Sequence, residues 1–257
     1  LDTIEVQGFV RKTIPPFLEA SARAFKLGKE AMGEEDYSAI KASALYDGKL
    51  HFYKTCAPID EAPFEIGRVH AFTKGWLERE CNFLHMDYKY LLGLLKGGFY
   101  EDFYSELPSN LVCFMDPEIY GRNPTEASSF IVPTCNPNQK NWGRGFFARL
   151  TGANAEFLNM LVLLFLGEKP FCVENGELVF APKPKLSSSF FTKEGKVRFL
   201  LFGKTQFEIS NPKRLDCYKG VKLTYRLDGT PMEEVKGEWA HKLREGAFKL
   251  VEAEVVS

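Results

Sequence analysis

The chain has almost no net charge: 33 Lys and Arg against 34 Asp and Glu leave −1 at pH 7. That balance removes the bulk electrostatic case for binding nucleic acid or an anionic membrane. Cysteines are few, and none is paired in spacing. The six stand at 56, 81, 113, 135, 172 and 217, with no CxxC pair and no Cys/His cluster of zinc spacing. A chain of 257 residues can bury a sizeable core without a disulfide framework, so reduced thiols in a cytoplasmic protein are expected. Long apolar runs are missing too. The longest, Phe157 to Leu166, is interrupted by Asn159 and is too short to span a bilayer. The opening residues, Leu1-Asp2-Thr3-Ile4-Glu5, have neither the basic region nor the apolar run of a signal peptide. They begin with Leu, and the chain is expected to be a piece of a longer protein, or one cleaved or trimmed. GxGxxG, Walker A, GxSxG and HExxH are absent, as are internal repeats and low-complexity tracts. No metal and no organic cofactor is expected.

What is present is an ordinary globular composition, 45% apolar and 26% charged, enough for one large domain or two ordinary ones. The first two thirds reads helical. Pro15-Pro16 opens a segment in which Phe17, Leu18, Ala22 and Phe25 recur at helical spacing, ending near Gly28. Glu34 to Ala44 is a weaker helix, and Asp47 to Tyr53 a short strand or loop. Leu84, Tyr88, Leu91, Leu92 and Leu95 form a stripe that Gly97-Gly98 stops. Phe99 to Glu106 is another short helix. Between Pro108 and Gly145 four more prolines predict a long surface loop. Beyond Gly167 the period shortens. Glu177 to Phe180, Ser189 to Thr192, Lys196 to Phe202, Thr205 to Ile209, Val221 to Leu227 and Ala247 to Val256 predict strands, with turns at Gly203-Lys204 and Asp228-Gly229. The fold class is α+β: a helical part over 1–168, then an antiparallel β-sandwich of jelly-roll type over 169–257.

Two stretches carry chemistry. Arg149-Leu150-Thr151-Gly152 directly precedes a mostly apolar helix, Ala155 to Leu166. Free amides and the positive end of the dipole make such a start an anion site, and Gly allows close approach. Arg144 and Arg149 add cationic forks and Gly145 close backbone approach. Thr151 is equally a good N-cap, and the arginines fit surface ion pairs. Glu78 and His85 stand seven apart, one face of a helix if the segment is helical. Trp76 and Phe83 beside them are faces on which a sugar can stack; a helix with a polar rim is the alternative. Asp116, Glu118, Tyr120, Arg122 and Glu126 fit either sugar hydroxyls or a solvated loop. Glu65 and Arg68 are spaced to pair with each other. His70 reads as a satisfied core histidine, while His51 and His241 have no cluster around them.

The stretch Trp76-Leu77-Glu78-Arg79-Glu80-Cys81-Asn82-Phe83-Leu84-His85 resembles the Glu-Asn-Gly-Gly-x-Phe-x-His segment of inverting glycoside phosphorylases. These are the cellobiose and chitobiose phosphorylases and their relatives acting on β-1,2- and β-1,3-oligoglucans. Thr151-Gly152-Ala153-Asn154-Ala155 resembles their Thr-Gly-x-Ala segment at about the same distance. Phe72 to Glu78, His85 to Leu92 and Tyr120-Gly121-Arg122 with Glu126, Ser128, Ser129 and Phe130 look closest to the oligoglucan members.

The resemblance implies the last helices of an (α/α)6 barrel followed by the β-sandwich. It implies phosphate contacts from His85, Thr151 and the Gly152 amide, with Glu78, Trp76 and Glu126 toward the sugar. Inorganic phosphate would be co-substrate and a β-glucan oligosaccharide the substrate. The sequence departs from the pattern at Glu80-Cys81, where the family has two glycines, and at Arg79, where Asn is common. No Trp-Asn-Asp type segment precedes His85 to supply the general-acid Asp. The proton donor is therefore expected from an N-terminal remainder of the enzyme or a companion chain. Homodimerisation is a further possible association. An inverting hydrolase with Glu78 or Glu126 as base, and a non-catalytic carbohydrate-binding or scaffold subunit, are the other readings.

Overall fold

A computed structural model describes residues 5–148 and 151–256, with the side chains of Ala148 and Thr151 left out. It is a mixed α and β protein. Two compact units divide between Glu156 and Phe157.

The first unit is ordered around one helix. In chain order it contains α1 (Leu18–Phe25), α2 (Glu34–Ala42), β1 (Tyr46–Asp47), β2 (Phe52–Tyr53), β3 (Asn82–Phe83), α3 (Leu84–Gly97), α4 (Tyr100–Asn110), α5 (Pro117–Tyr120), β4 (Ser128–Ile131), β5 (Gly145–Ala148) and the start of α6 (Thr151–Leu166). The expected stripe on α3 is buried at Leu84, Tyr88, Leu91, Leu92 and Leu95. Its stop is also as expected. Gly98 adopts a left-handed φ of 83° and donates its N–H to the carbonyls of Leu94 and Leu95, a conformation that costs Gly little. Less visible in the sequence is the role of Gly93 and Gly97. A Cβ on them would lie 2.7 Å from the Ala22 carbonyl oxygen and 2.5 Å from that of Phe25. Bare backbone at these two positions lets α1 pack directly on α3. Phe25 then closes the contact edge-on against Tyr90 and Phe99, with centroids 5.6 and 4.9 Å apart.

Under α3 lies a polar core. The Glu106 carboxylate, 1% exposed, accepts from Tyr37 Oη at 2.5 Å, Tyr53 Oη at 2.8 Å and Lys41 Nζ at 2.8 Å. Asn82 Nδ2 donates to the Tyr53 carbonyl and to Asp87 Oδ2. Burial, with the nearby Glu106 charge, raises the Asp87 carboxyl well above its ordinary range.

The segment between Pro108 and Gly145 is not one long loop. It contains α5, whose N-cap Asp116 accepts from the Glu118 N–H at 2.9 Å, and β4, which pairs antiparallel with both β3 and β5. Prolines concealed a four-residue strand whose partners are distant in sequence.

The second unit contains β6 (Phe171–Glu174), β7 (Glu177–Phe180), β8 (Lys196–Leu201), β9 (Thr205–Ser210), β10 (Leu223–Leu227), β11 (Thr230–Met232), β12 (Val235–Lys236), α7 (Glu238–Glu245) and β13 (Leu250–Val255). Five strands form one sheet in the order β11-β10-β13-β9-β8, and three form another in the order β12-β7-β6. Asn175-Gly176 and Asp228-Gly229, with φ of 50° and 83° and of 45° and 85°, make the two-residue turns of β6–β7 and β10–β11. Gly203 turns β8 into β9, as expected.

Three expectations are corrected. The larger sheet is not wholly antiparallel, because β9 and β13 run parallel. Their parallel pairing needs a long crossover, and the connection carries α7, which the strand pattern did not foresee. Ser189 to Thr192 is not a strand; Ser188–Phe190 form a 3-10 turn. Phe180 of β7 meets Phe207 of β9 and Tyr225 of β10, so the small sheet packs on the apolar face of the large one.

Candidate functional site

The site grows from the β3–α3 junction. Phe83 ends β3 and Leu84 starts α3, which makes His85 the second residue of the helix. Far along the chain, β5 leads toward α6, and the helix itself begins at Thr151 rather than at Ala155. Thr151 and Gly152 are thus helical residues of the first turn, where backbone N–H groups lack intrahelical acceptors. Arg149 and the Thr151 side chain lie outside the described residues.

The structure brings His85 and Gly152 together. A Cβ at Gly152 would lie 2.5 Å from His85 Nδ1, 2.7 Å from Cε1 and 2.8 Å from Cγ. The imidazole therefore covers the Gly152 Cα, and no other residue fits beneath it. Its other nitrogen, Nε2, stands 3.6 Å from Glu156 Oε1. Burial first, then the Lys89 charge, lowers the His85 pKa; Glu156 opposes both. Lys26 of α1 is likewise lowered by burial, with Glu156 opposing. Lys89 pairs with Glu19 at 3.1 Å, and Glu19 also holds Arg23 at 2.7 Å. The charges near His85 are thus Glu19 on α1, Lys89 on α3 and Glu156 on α6.

Glu156, Lys26 and Lys89 were not picked out from sequence. The signal for two of them was spacing: Glu156 follows Gly152 by four, and Lys89 follows His85 by four, each on the same helix face.

An aromatic row leads away from His85. Phe83 lies edge-on to His85 at 6.0 Å and stacks on Phe130 of β4 at 4.8 Å. Phe130 meets Phe147 of β5 at 6.3 Å. Trp76 packs against Phe146 and Phe147 at 4.9 and 5.8 Å. Phe147, with a left-handed φ of 58°, remains 53% exposed. Cross-strand register explains the row, since Phe83 faces Phe130 and Phe130 faces Phe146.

Glu78 departs from its expected geometry. Trp76 to Arg79 is a tight turn closed by the Arg79 N–H to the Trp76 carbonyl, with Leu77 at φ 52°. Glu78 and His85 therefore share no helix face, and the seven-residue spacing carries no meaning there. Its carboxylate pairs with Arg68 at 2.6 Å, so Arg68 does not pair with Glu65. Glu126 pairs with Arg122 at 3.1 Å, and Arg122 Nε donates to the Gly145 carbonyl. Arg144 lies against Gly121, where a Cβ would come 2.9 Å from its Nε. No contact links Glu126 or Arg144 to His85. His70 is half-buried, with Nε2 3.2 Å from the Pro63 carbonyl, and its ring stacks on Phe64. His51 is 3.1 Å from Tyr46 Oη.

Among the described residues no cluster of His, Cys, Asp and Glu is arranged to hold a metal, and no helix is long and apolar enough to cross a membrane. No protein-family model matches the chain, and no curated protein matches it.

Proposed function

We propose that this chain is the phosphate-holding part of an inverting phosphorylase acting on β-glucan oligomers. Its first unit would be the last helices of an (α/α)6 barrel and its second a β-sandwich. The observation that carries the reading is the seating of His85 on Gly152, 67 positions further along the chain. First-turn amides, an imidazole and nearby lysines are the donors an inorganic phosphate needs. The row from Phe83 to Trp76 offers apolar faces for pyranose rings.

Phosphate is already a nucleophile, so a phosphorylase needs no base to activate water. Held at the α6 start, it would attack the anomeric carbon opposite the leaving sugar. The glycosidic bond breaks, the leaving oxygen takes a proton from a general acid, and α-glucose 1-phosphate results. In this reading the acid comes from outside the described site, from an N-terminal remainder or a companion chain. Glu78 accepts from sugar hydroxyls, and Arg68 pairs with it at 2.6 Å.

In the assembled enzyme, His85→Ala and Thr151→Ala are expected to abolish phosphate-dependent cleavage while circular dichroism stays unchanged. Retained phosphorolysis in both variants would sink the reading. Free sugar released without phosphate would instead mark a hydrolase. Glucan binding with no turnover would mark a binding subunit.

A further inference from the structure

In a role that rests on the phosphate site proposed above, we infer that Glu156 is a positioning residue. Its carboxylate holds His85 by Nε2, so that Nδ1 is presented to the first turn of α6 and gains a proton when phosphate binds. The geometry sets this up from both sides of the ring. Nε2 faces Glu156 Oε1 at 3.6 Å, while Nδ1 lies over Gly152. The ring is thus fixed by a carboxylate on one side and bare backbone on the other, and both belong to the same helix. Gly152 and Glu156 are four residues apart on α6, so each lies one turn from the other.

The charge balance gives the arrangement a consequence. His85 is faced by Glu19 of α1, Lys89 of α3 and Glu156 of α6, and Glu156 is also near Lys26, just past the end of α1. Burial, then the Lys89 charge, favours the neutral ring. Neutral imidazole has one N–H. With that N–H on Nε2, toward Glu156, Nδ1 over Gly152 keeps a lone pair, and that lone pair repels an anion. A dianion supplies the charge that makes protonation favourable. Nδ1 then takes one proton from solvent and donates it in a hydrogen bond to a phosphate oxygen. The proton on Nε2 stays with Glu156. No covalent bond changes, and one proton enters per phosphate bound. A carboxylate behind an imidazole raises its basicity, the arrangement known from metal-bound histidines.

The test is calorimetric titration of the 257-residue chain with inorganic phosphate at pH 8, where the dianion dominates. Two buffers of different ionisation enthalpy report the protons taken up. The wild type is expected to take up close to one. Glu156→Gln is expected to lose most of that uptake and to bind about tenfold more weakly, the lower end of the effect of removing a carboxylate behind a liganding histidine. Glu156→Asp should recover part of both. His85→Gln should lose the uptake entirely. In the phosphate-free protein, nuclear magnetic resonance of the His85 ring should show a lower pKa in Glu156→Gln than in wild type. Should Glu156→Gln fail to fold, Glu156→Asp carries the comparison.

Unchanged uptake and affinity in Glu156→Gln, with wild type binding phosphate, would overturn the role of Glu156 alone. Failure of the wild type to bind phosphate would overturn the phosphate site and this role with it.

Discussion

Two charged regions of this molecule handle their ions differently. On the outer face of the five-stranded sheet, Glu208 is gripped by Lys196 at 2.6 Å and Arg198 at 2.5 Å. Beside it Glu252 stands opposite Arg226 in register. Glu252 is also the direct cross-strand neighbour of Glu208, and both cations on Glu208 keep much of their surface in water. Around His85 the pairing is uneven: Lys89 and Arg23 share Glu19 at 3.1 and 2.7 Å. The His85–Glu156 separation is 3.6 Å, Lys26 makes no ion pair among the described residues, and burial lowers the pKa of both His85 and Lys26. Paired charges on a solvated sheet contribute modestly to stability. Spaced, partly desolvated charges beside a helix start are costly without a ligand and respond to one. The difference is that the sheet carries close, solvated ion pairs, whereas His85 and Lys26 are partly desolvated, which is what the proposed phosphate site would use.

The sharpest way to break that contrast is Gly152→Val. A side chain there meets the His85 ring at its Cβ, so phosphate binding measured by calorimetry should be lost altogether. Binding at wild-type affinity would show that the ring does not need to lie on bare backbone. Next in size, Gly93→Val drives a side chain into the Ala22 carbonyl and should cost about 3 kcal/mol in urea unfolding, the upper end for overpacking. It tests whether α1, which brings Lys26 and Glu19 to the pocket, is seated by that close approach. A loss below about 0.5 kcal/mol would refute this.

A third test uses pH. The folded carboxyl of Asp87 is raised well above its unfolded value, so the folded state holds a proton that the unfolded chain releases. Its contribution is therefore complete below the unfolded pKa and declines as pH rises through the folded one. Asp87→Asn retains a hydrogen-bonding partner for Asn82 without the ionisable group. Its stability relative to wild type should improve steadily from pH 4 to pH 8, read from urea midpoints. A difference that is flat with pH would show that Asp87 is ionised in the fold. The smallest effect is expected on the sheet. Glu208→Ala should cost about 1 kcal/mol or less, since its partners are well exposed, and should leave phosphate affinity unchanged. Any change in phosphate affinity would show that the Glu208 network influences the proposed site.

Much of the scaffold was legible in the sequence, for local reasons. The α3 stripe and its Gly98 stop, the strands β7, β8, β9, β10 and β13 and the Asp228-Gly229 turn depend on periodicity and on φ, which neighbouring residues express. The β4 strand was hidden because its partners β3 and β5 are supplied by distant chain. The parallel β9–β13 pairing was hidden for the same reason. At the site, His85 and Gly152 were both picked out, but on separate grounds. The Glu78–His85 spacing misled because Leu77 adopts a left-handed φ in a tight turn, which breaks any helical period.

The sequence by itself determined the α1, α3 and α4 helices, the Gly98 stop and the Asp228-Gly229 turn, and it marked His85 and Gly152 as candidates. Those follow from side-chain periodicity, glycine conformations and the ionisable groups present. Only the tertiary structure decided that His85 lies over Gly152 with Glu156 behind it. Contact across that many residues depends on β3, β4 and β5 pairing and on α1 packing against the glycines of α3, and no local signal encodes either.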